Sequence, residues 1–409
     1  MNHPISFDDT QIAFAHKSDN ELREAYRLFL LMQNSWLVNL GTRFTPWLIR
    51  SGMPVKEVIR KTIFKQFVGG ETLTQTATIA EKLAQYKVRV ILDYGAEGKE
   101  GEQNFDLACN EFIGVIEYAS TQSNIPYMSI KVTGFARFSL LEKLDGLIHA
   151  AEGNSLIKRY NYALQQLSLE ELNEWDRVYV RMRRICNTAS QKGIGVLVDA
   201  EETWVQDPVD ALTMLMMDEY NKSQLVIYNT VQLYRHDRLA FLLKMYEAAE
   251  ERGFILGVKL VRGAYMEKER TRAAEKNYPS PIQPNKIETD KDFNEAVRFC
   301  INHIEGTGLI IATHNEESNL LATQLLKEKG LPLNHSHIHF SQLYGMSDNI
   351  TYNLAEAGCS VSKYLPFGPI QDVVPYLMRR AQENTSVKGQ TGRELSLIKK
   401  ELKRRKKNL

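Results

Sequence analysis

From residue 88 onward the chain alternates two patterns. Short, nearly unbroken apolar runs are each followed by a longer stretch with apolar residues at three- and four-residue steps. The runs are VRVILDYG (88–95), IPYMSIKVTG (125–134), GIGVLVDAE (193–201), LVIYNTVQ (225–232), FILGVKLVRGAY (254–265), GLIIATHN (308–315), HIHFSQLYG (337–345) and CSVSKYLPFG (359–368). Strands covered on both faces read this way, without polar alternation. The stretches between them, from EFIGVIEYA after the first to DVVPYLMRRAQEN after the last, read as amphipathic helices. Eight β-α units predict an α/β fold, a (β/α)8 barrel, with an open doubly wound sheet as the alternative. Residues 1–85 read as a helical arm, with a helix start at Asp19 and apolar positions recurring through 27–40 and 54–67. The barrel then spans 86–388 and a basic tail 389–409. Segment 267–290 after the fifth run is rich in Glu, Lys, Pro and Asn, and predicts a long polar loop over a site.

The 409 residues are 43% hydrophobic and 25% charged, enough for a large core. No run of about 18 apolar residues occurs; the best candidate, 28–40, is broken by Gln33, Asn34 and Asn39, which excludes a membrane-spanning helix. The first residues, MNHPISFDDT, show neither a signal peptide nor a transit peptide, which points to the cytoplasm. Cys109, Cys186, Cys300 and Cys359 are scattered without a C-x-x-C pair, which fits a reducing compartment and argues against a disulfide framework. The net charge of +1 gives no field to attract nucleic acid. The average hides an asymmetry. Residues 393–409 hold eight Lys/Arg against two Glu, leaving 43 Lys+Arg against 48 Asp+Glu in the rest. This segment can form a helix with Leu395, Ile398 and Leu402 on one side. It reads either as a solvated tail or as a peripheral contact with an anionic bilayer.

In a barrel of this type the chemistry sits at the C-terminal ends of the strands. Polar residues there are Asp93 and Glu97, Lys131 and Thr133, Asp199 and Glu201, Gln232, Lys259, Arg262 and Tyr265, Thr313, His314 and Asn315, Gln342 and Tyr344, and Tyr364. The set is rich in cations and donors, as an anionic ligand requires. The last helix of the barrel carries Tyr376, Arg379, Arg380 and Glu383 at helical spacing. Periodicity alone puts that helix outside the barrel, where this would be a solvated face; a Tyr beside two Arg is also a carboxylate receptor. There is no G-x-G-x-x-G after a strand, no Walker A motif, no G-x-S-x-G and no H-E-x-x-H. His335, His337 and His339 share one face of an extended segment, but at the start of the seventh strand, so no metal is assigned.

LDYGAEG (92–98), SIKVTG (129–134), LVDAEE (197–202), KLVRGAYMEKER (259–270), ATHN (312–315), QLYGM (342–346), YLPFGP (364–369) and PYLMRRAQEN (375–384) together resemble the proline dehydrogenase family, through all eight strands in order. The resemblance implies a distorted barrel with FAD at its mouth and the last helix over the top. It implies oxidation of L-proline to Δ1-pyrroline-5-carboxylate by hydride transfer to flavin N5, with electrons passed to a membrane quinone, ubiquinone or menaquinone. A separate pyrroline-5-carboxylate dehydrogenase would act downstream. The family pattern puts Arg379, Arg380 and Lys131 on the proline carboxylate, and Tyr265, Leu343, Tyr364 and Tyr376 around the ring. Asp199 would lie beneath the substrate, with Glu97 as a lid. Gln232, Lys259, Arg262, Gly263, Thr313, His314, Asn315 and Glu383 match flavin-contacting positions. Two departures stand out: Lys259 where some members have Arg, and Met266 where others have Trp. Tyr364 favours proline over hydroxyproline.

Overall fold

The computed structural model describes residues 5–34, 36, 38, 55–95, 100–386 and 388–407, and for 382–391 the backbone at most. Eight parallel strands, β1 (Arg89–Tyr94), β2 (Tyr127–Ile130), β3 (Gly195–Val198), β4 (Ile227–Gln232), β5 (Leu256–Val261), β6 (Thr307–Ala312), β7 (Ile338–Leu343) and β8 (Val361–Phe367), close into a barrel in sequence order. Each lies inside its predicted apolar run, except that β6 starts one residue earlier, at Thr307. The open-sheet alternative falls because β1 pairs with β8, in register Ile91↔Tyr364 and Leu92↔Leu365. β3 and β4 are buried at every position, as unbroken apolar runs require.

The chain packs as two compact units, one of residues 97–313 and 317–339, the other of 1–96, 314–316 and 340–409. The first contains β2 to β6. Between β2 and β3 it has three helices, Phe138–Ala150, Leu156–Gln165 and Leu169–Lys192. Sequence periodicity marks only the third, because Gly153-Asn-Ser breaks the preceding amphipathic stretch in two. Ser155 and Ser168 cap the second and third helices, and Glu171 completes a capping box. The predicted loop after β5 begins instead as a helix, Met266–Lys276, ended by Asn277 in the left-handed region at φ 55°. Its low hydropathy hid a run of strong helix formers, Glu, Lys, Arg and Ala. Burial of Glu269 and Ala273 fixes the face it packs.

The second unit contains β1 and β8, most of β7, the N-terminal helices and the last two helices. Ser18 caps the helix Asp19–Met32 in a capping box with Glu21, at the predicted start. Phe29 of that helix, Phe64 and Phe67 of the following helical segment, Tyr376 and Leu377 of the helix Ile370–Ser386, and Leu395, Leu397 and Ile398 of the C-terminal helix Lys388–Lys407 share one buried cluster. Ile370–Ser386 therefore packs among helices rather than presenting a solvated face. The basic tail is not simply solvated either. It is a helix with Leu395, Leu397, Ile398 and Glu401 buried, while Lys399, Lys400, Lys403, Lys406 and Lys407 remain exposed. Among the described residues no helix is long and apolar enough to cross a membrane.

Candidate active site

In the first unit β2, β3 and β5 end in a charged triad. Lys259, on β5 and 4% exposed, donates Nζ to the carboxylate of Asp199, next to the end of β3. The Asp199 N–H is fixed on the Ile130 carbonyl at 2.8 Å. Burial disfavours the Asp199 charge, but Lys259 and then Lys131 outweigh it and hold the carboxyl below its usual range. Two ammonium groups thus act on the Asp199 carboxylate. Beside them Glu201 accepts the Thr133 hydroxyl at 2.7 Å, and Gln232 donates Nε2 to the Glu201 carbonyl at 3.1 Å.

Arg262, just beyond β5, donates to Asp290 (2.8 Å), Thr313 Oγ1 (2.5 Å) and Ser318 Oγ (3.0 Å), with its guanidinium 4.4 Å from the Phe293 ring centroid. The chain can turn directly after it because Gly263 sits at φ 140°, where a Cβ would meet the Tyr234 ring at 2.4 Å. Tyr265 then begins the Met266–Lys276 helix, which is pinned by Glu269. That carboxylate, 0% exposed, accepts the Thr203 N–H and hydroxyl at 2.7 and 2.8 Å. The polar insert is thus a tether that fixes Tyr265, where the sequence suggested a loop.

In the second unit the ends of β7 and β8 are tied by the Tyr344 N–H on the Tyr364 carbonyl at 2.9 Å, and the register places Leu343 opposite Tyr364. Lys363, on β8 and 1% exposed, donates to the Met346 carbonyl and pairs with Asp348 at 2.9 Å, holding the turn after β7. His314 Nδ1 lies 2.9 Å from Ser347 Oγ of that turn. On the Ile370–Ser386 helix Arg380 is 5% exposed, its guanidinium 5.0 Å from the ring centroid of Tyr376, with Arg379 half-buried beside it. Glu97 and the side chain of Glu383 fall outside the described residues.

Within the first unit Lys131, Asp199 and Lys259 come together, as do Arg262 and Thr313; within the second, Leu343 meets Tyr364 and Tyr376 meets Arg380. Asp290, Ser318 and Ser347 were not foreseen. They support foreseen residues from neighbouring helices and turns, and carry no motif of their own. The histidine trio does not form a metal centre. His337 Nδ1 lies 2.9 Å from both the Ile304 and Thr307 carbonyls, and His339 is buried against Tyr127. Among the described residues no group of His, Cys, Asp and Glu could hold a metal ion.

The chain is similar to known proteins. Residues 76–393 match the model of the proline dehydrogenase family. Proline dehydrogenase 1, mitochondrial, of Dictyostelium discoideum is 32% identical over 97% of this chain and 74% of its own. The hydroxyproline dehydrogenase of Xenopus laevis is 33% identical, over 90% and 80%. The carbapenem antibiotics biosynthesis protein CarD of Pectobacterium carotovorum is 34% identical over 83% of both. Among solved structures, proline utilization A from Bdellovibrio bacteriovorus superposes with a TM-score of 0.69 at 19% identity, over 92% of this chain and 38% of that one, a likeness of fold. The chain belongs to the proline dehydrogenase family, enzymes that oxidise proline to Δ1-pyrroline-5-carboxylate in proline catabolism.

Proposed function

We propose that this chain binds FAD at the strand ends of its barrel, oxidises L-proline there, and passes the electrons to a membrane quinone. The family is FAD-dependent, and the donor set suits a flavin dinucleotide. Lys259 and Arg262 supply positive charge, Gln232, Thr313, His314 and Asn315 supply polar contacts, and Gly263 leaves no Cβ where the backbone turns. Bound FAD supplies the hydride acceptor, at N5. Everything else is work for the protein. Arg379 and Arg380 take the proline carboxylate, with Lys131 as a third cation; Tyr265, Leu343, Tyr364 and Tyr376 enclose the ring, and Glu97 closes over it. Asp199 keeps the charge of Lys259 balanced, so that the substrate carboxylate is drawn to the arginines.

The observation that carries this reading is the depth of Arg380, 5% exposed on a helix where an arginine at the surface would do for solubility. A guanidinium at that depth, over the Tyr376 ring and next to Arg379, suits a carboxylate. In the test, purified protein shows a flavin band that bleaches when L-proline is added without oxygen, and recovers on adding vesicles that contain ubiquinone. A protein that stays colourless after reconstitution with FAD, or whose flavin ignores proline, removes the reading.

Both proline and hydroxyproline dehydrogenases occur among the relatives. The bulk of Tyr364 opposite Leu343 favours proline, because the extra hydroxyl needs room and a partner. Tyr364→Ser is expected to lower kcat/KM for proline and raise the hydroxyproline-to-proline ratio about tenfold, within the range a single side-chain change in a pocket gives. An unchanged ratio of kcat/KM values for the two substrates counts against that role.

We place the enzyme in the cytoplasm and, through the exposed lysines of its C-terminal helix, at an anionic membrane surface. Each basic residue near such a surface contributes about 1 kcal/mol. Recovery of the bleached band in the vesicle experiment should then slow as salt is raised. A pyrroline-5-carboxylate dehydrogenase would consume the product.

A further inference from the structure

Two consecutive residues of the C-terminal helix reach the ends of β6 and β7. Arg393 forks onto Glu316 at 2.9 and 3.1 Å, immediately after Asn315, and Asn349 donates to the same carboxylate at 2.9 Å. Glu394, 5% exposed, accepts the N–H of Ser347. Ser347 is itself 3% exposed and sits at φ 51°, ψ 44°, a left-handed conformation that a serine keeps only where its surroundings hold it. Its hydroxyl is the group 2.9 Å from His314 Nδ1.

We infer that Glu394 and Ser347 are positioning residues for His314, so that the C-terminal helix sets the orientation of the imidazole in the flavin site. The inference rests on the proposed role of His314 in that site. A hydroxyl serves Nδ1 as donor or as acceptor, and in either role a hydrogen bond at Nδ1 holds the ring in one plane and so aims Nε2. Ser347 fills that place for His314, and its own backbone is anchored by Glu394. The Arg393–Glu316 fork fixes the other side of the same short segment, His314 to Glu316. One turn of the C-terminal helix therefore clamps both neighbours of the ring.

The groups acting on Glu394 are Asp348, Lys363 and Lys17, with His16 and Tyr344 close to Asp348. Burial, and then Asp348, push the Glu394 carboxyl up to about 7. The acceptor for Ser347 thus loses its charge as pH falls through neutrality. The clamp is firmest on the alkaline side.

The experiment uses the full chain with FAD. Ser347→Gly suits the left-handed backbone and keeps the N–H for Glu394, so it removes the hydroxyl alone. Nitrogen NMR of His314, identified by its loss in His314→Gln, should show the Nδ1 signal shifted at neutral pH between the wild type and Ser347→Gly, where Nδ1 loses its hydroxyl partner. The Kd for FAD should weaken about three- to tenfold, the effect of one positioning hydrogen bond, with the melting temperature unchanged or higher. Glu394→Gln should remove any change of the FAD Kd between pH 6 and 8. Wild-type ring signals and wild-type FAD affinity in Ser347→Gly overturn the inference. So does a shifted Nδ1 signal with unchanged affinity, which cuts the link from Ser347 to the flavin. A wild-type protein that takes up no FAD sinks the proposed function instead; the NMR of the FAD-free chain still decides whether Ser347 sets the ring.

Discussion

Arg380→Met raises KM for proline about a hundredfold and changes kcat much less. Methionine keeps most of the apolar stem and deletes the guanidinium that lies over the Tyr376 ring, so the loss falls on the proposed charge-assisted pair with the carboxylate. Removing one partner of a buried charged pair costs about 2–5 kcal/mol, and each 1.4 kcal/mol is a factor of ten in an equilibrium constant. The carboxylate is remote from the carbon that loses hydride. Its binding energy is the same in the ground and transition states apart from what it adds by orienting the ring, so KM carries most of the change. Arg379→Met should show the same split with a smaller amplitude, because its half-buried charge is better screened. Steady-state kinetics against proline, together with the Kd of a carboxylate-bearing ring analogue, make the check. A KM within twofold of wild type would remove Arg380 from the substrate site.

How much of this was legible depended on the kind of signal. The eight strands were plain because burial on both faces leaves runs such as VLV (196–198) and LII (309–311) with no polar residue to pace them. The start of the Asp19–Met32 helix was readable from its polar opening, and Ser18 with Glu21 explains it. The position of the Ile370–Ser386 helix was not. Its periodicity specifies an apolar face, and nothing in that face says whether strands or other helices cover it; the cover comes from Phe29, Phe64 and Leu397, far away in sequence. The insert after β5 failed for a different reason. Met266–Lys276 is held by Glu269 on Thr203, a long-range polar anchor that hydropathy scores as solvated. At the site, the residues proposed to face a ligand carried family motifs, and the residues that hold those in place did not. Asp290 on Arg262 and Ser347 on His314 belong to the second kind.

Asp348 shows how much stability such a support can hold. It lies 2.9 Å from Lys363, 3.1 Å from Lys17 and 3.4 Å from His16, and is 5% exposed. Burial disfavours its charge, yet Lys17 and Lys363 hold the carboxyl well below the usual range. Asp348→Asn keeps the shape and removes the charge, leaving two ammonium groups in a poorly solvated space with only Glu394 near. Breaking a buried pair from one side costs about 3–5 kcal/mol, and that loss is expected in urea unfolding at neutral pH. Lys363→Met should cost less, about 1–3 kcal/mol, since Asp348 keeps Lys17 and what is lost is the donor to the Met346 carbonyl. The double variant should be more stable than the sum of the two losses implies by at least about 1 kcal/mol, because Lys363→Met removes one of the two charges that Asp348→Asn strands. The sign with pH follows. A carboxyl whose folded value is depressed contributes its stability above the unfolded value of about 3.9, and loses it as pH falls through the folded one. His16, whose imidazole burial pushes down to about 4, loses stability over the higher span between the unfolded histidine value of about 6.5 and its own. Asp348→Asn should therefore flatten the most acidic part of the stability curve and extend the histidine part to lower pH, because Asp348 is what raises the His16 value against burial. Additive losses in the cycle, within about 0.5 kcal/mol, would mean that Asp348 and Lys363 act separately and that the turn bearing Ser347 is held by hydrogen bonds alone.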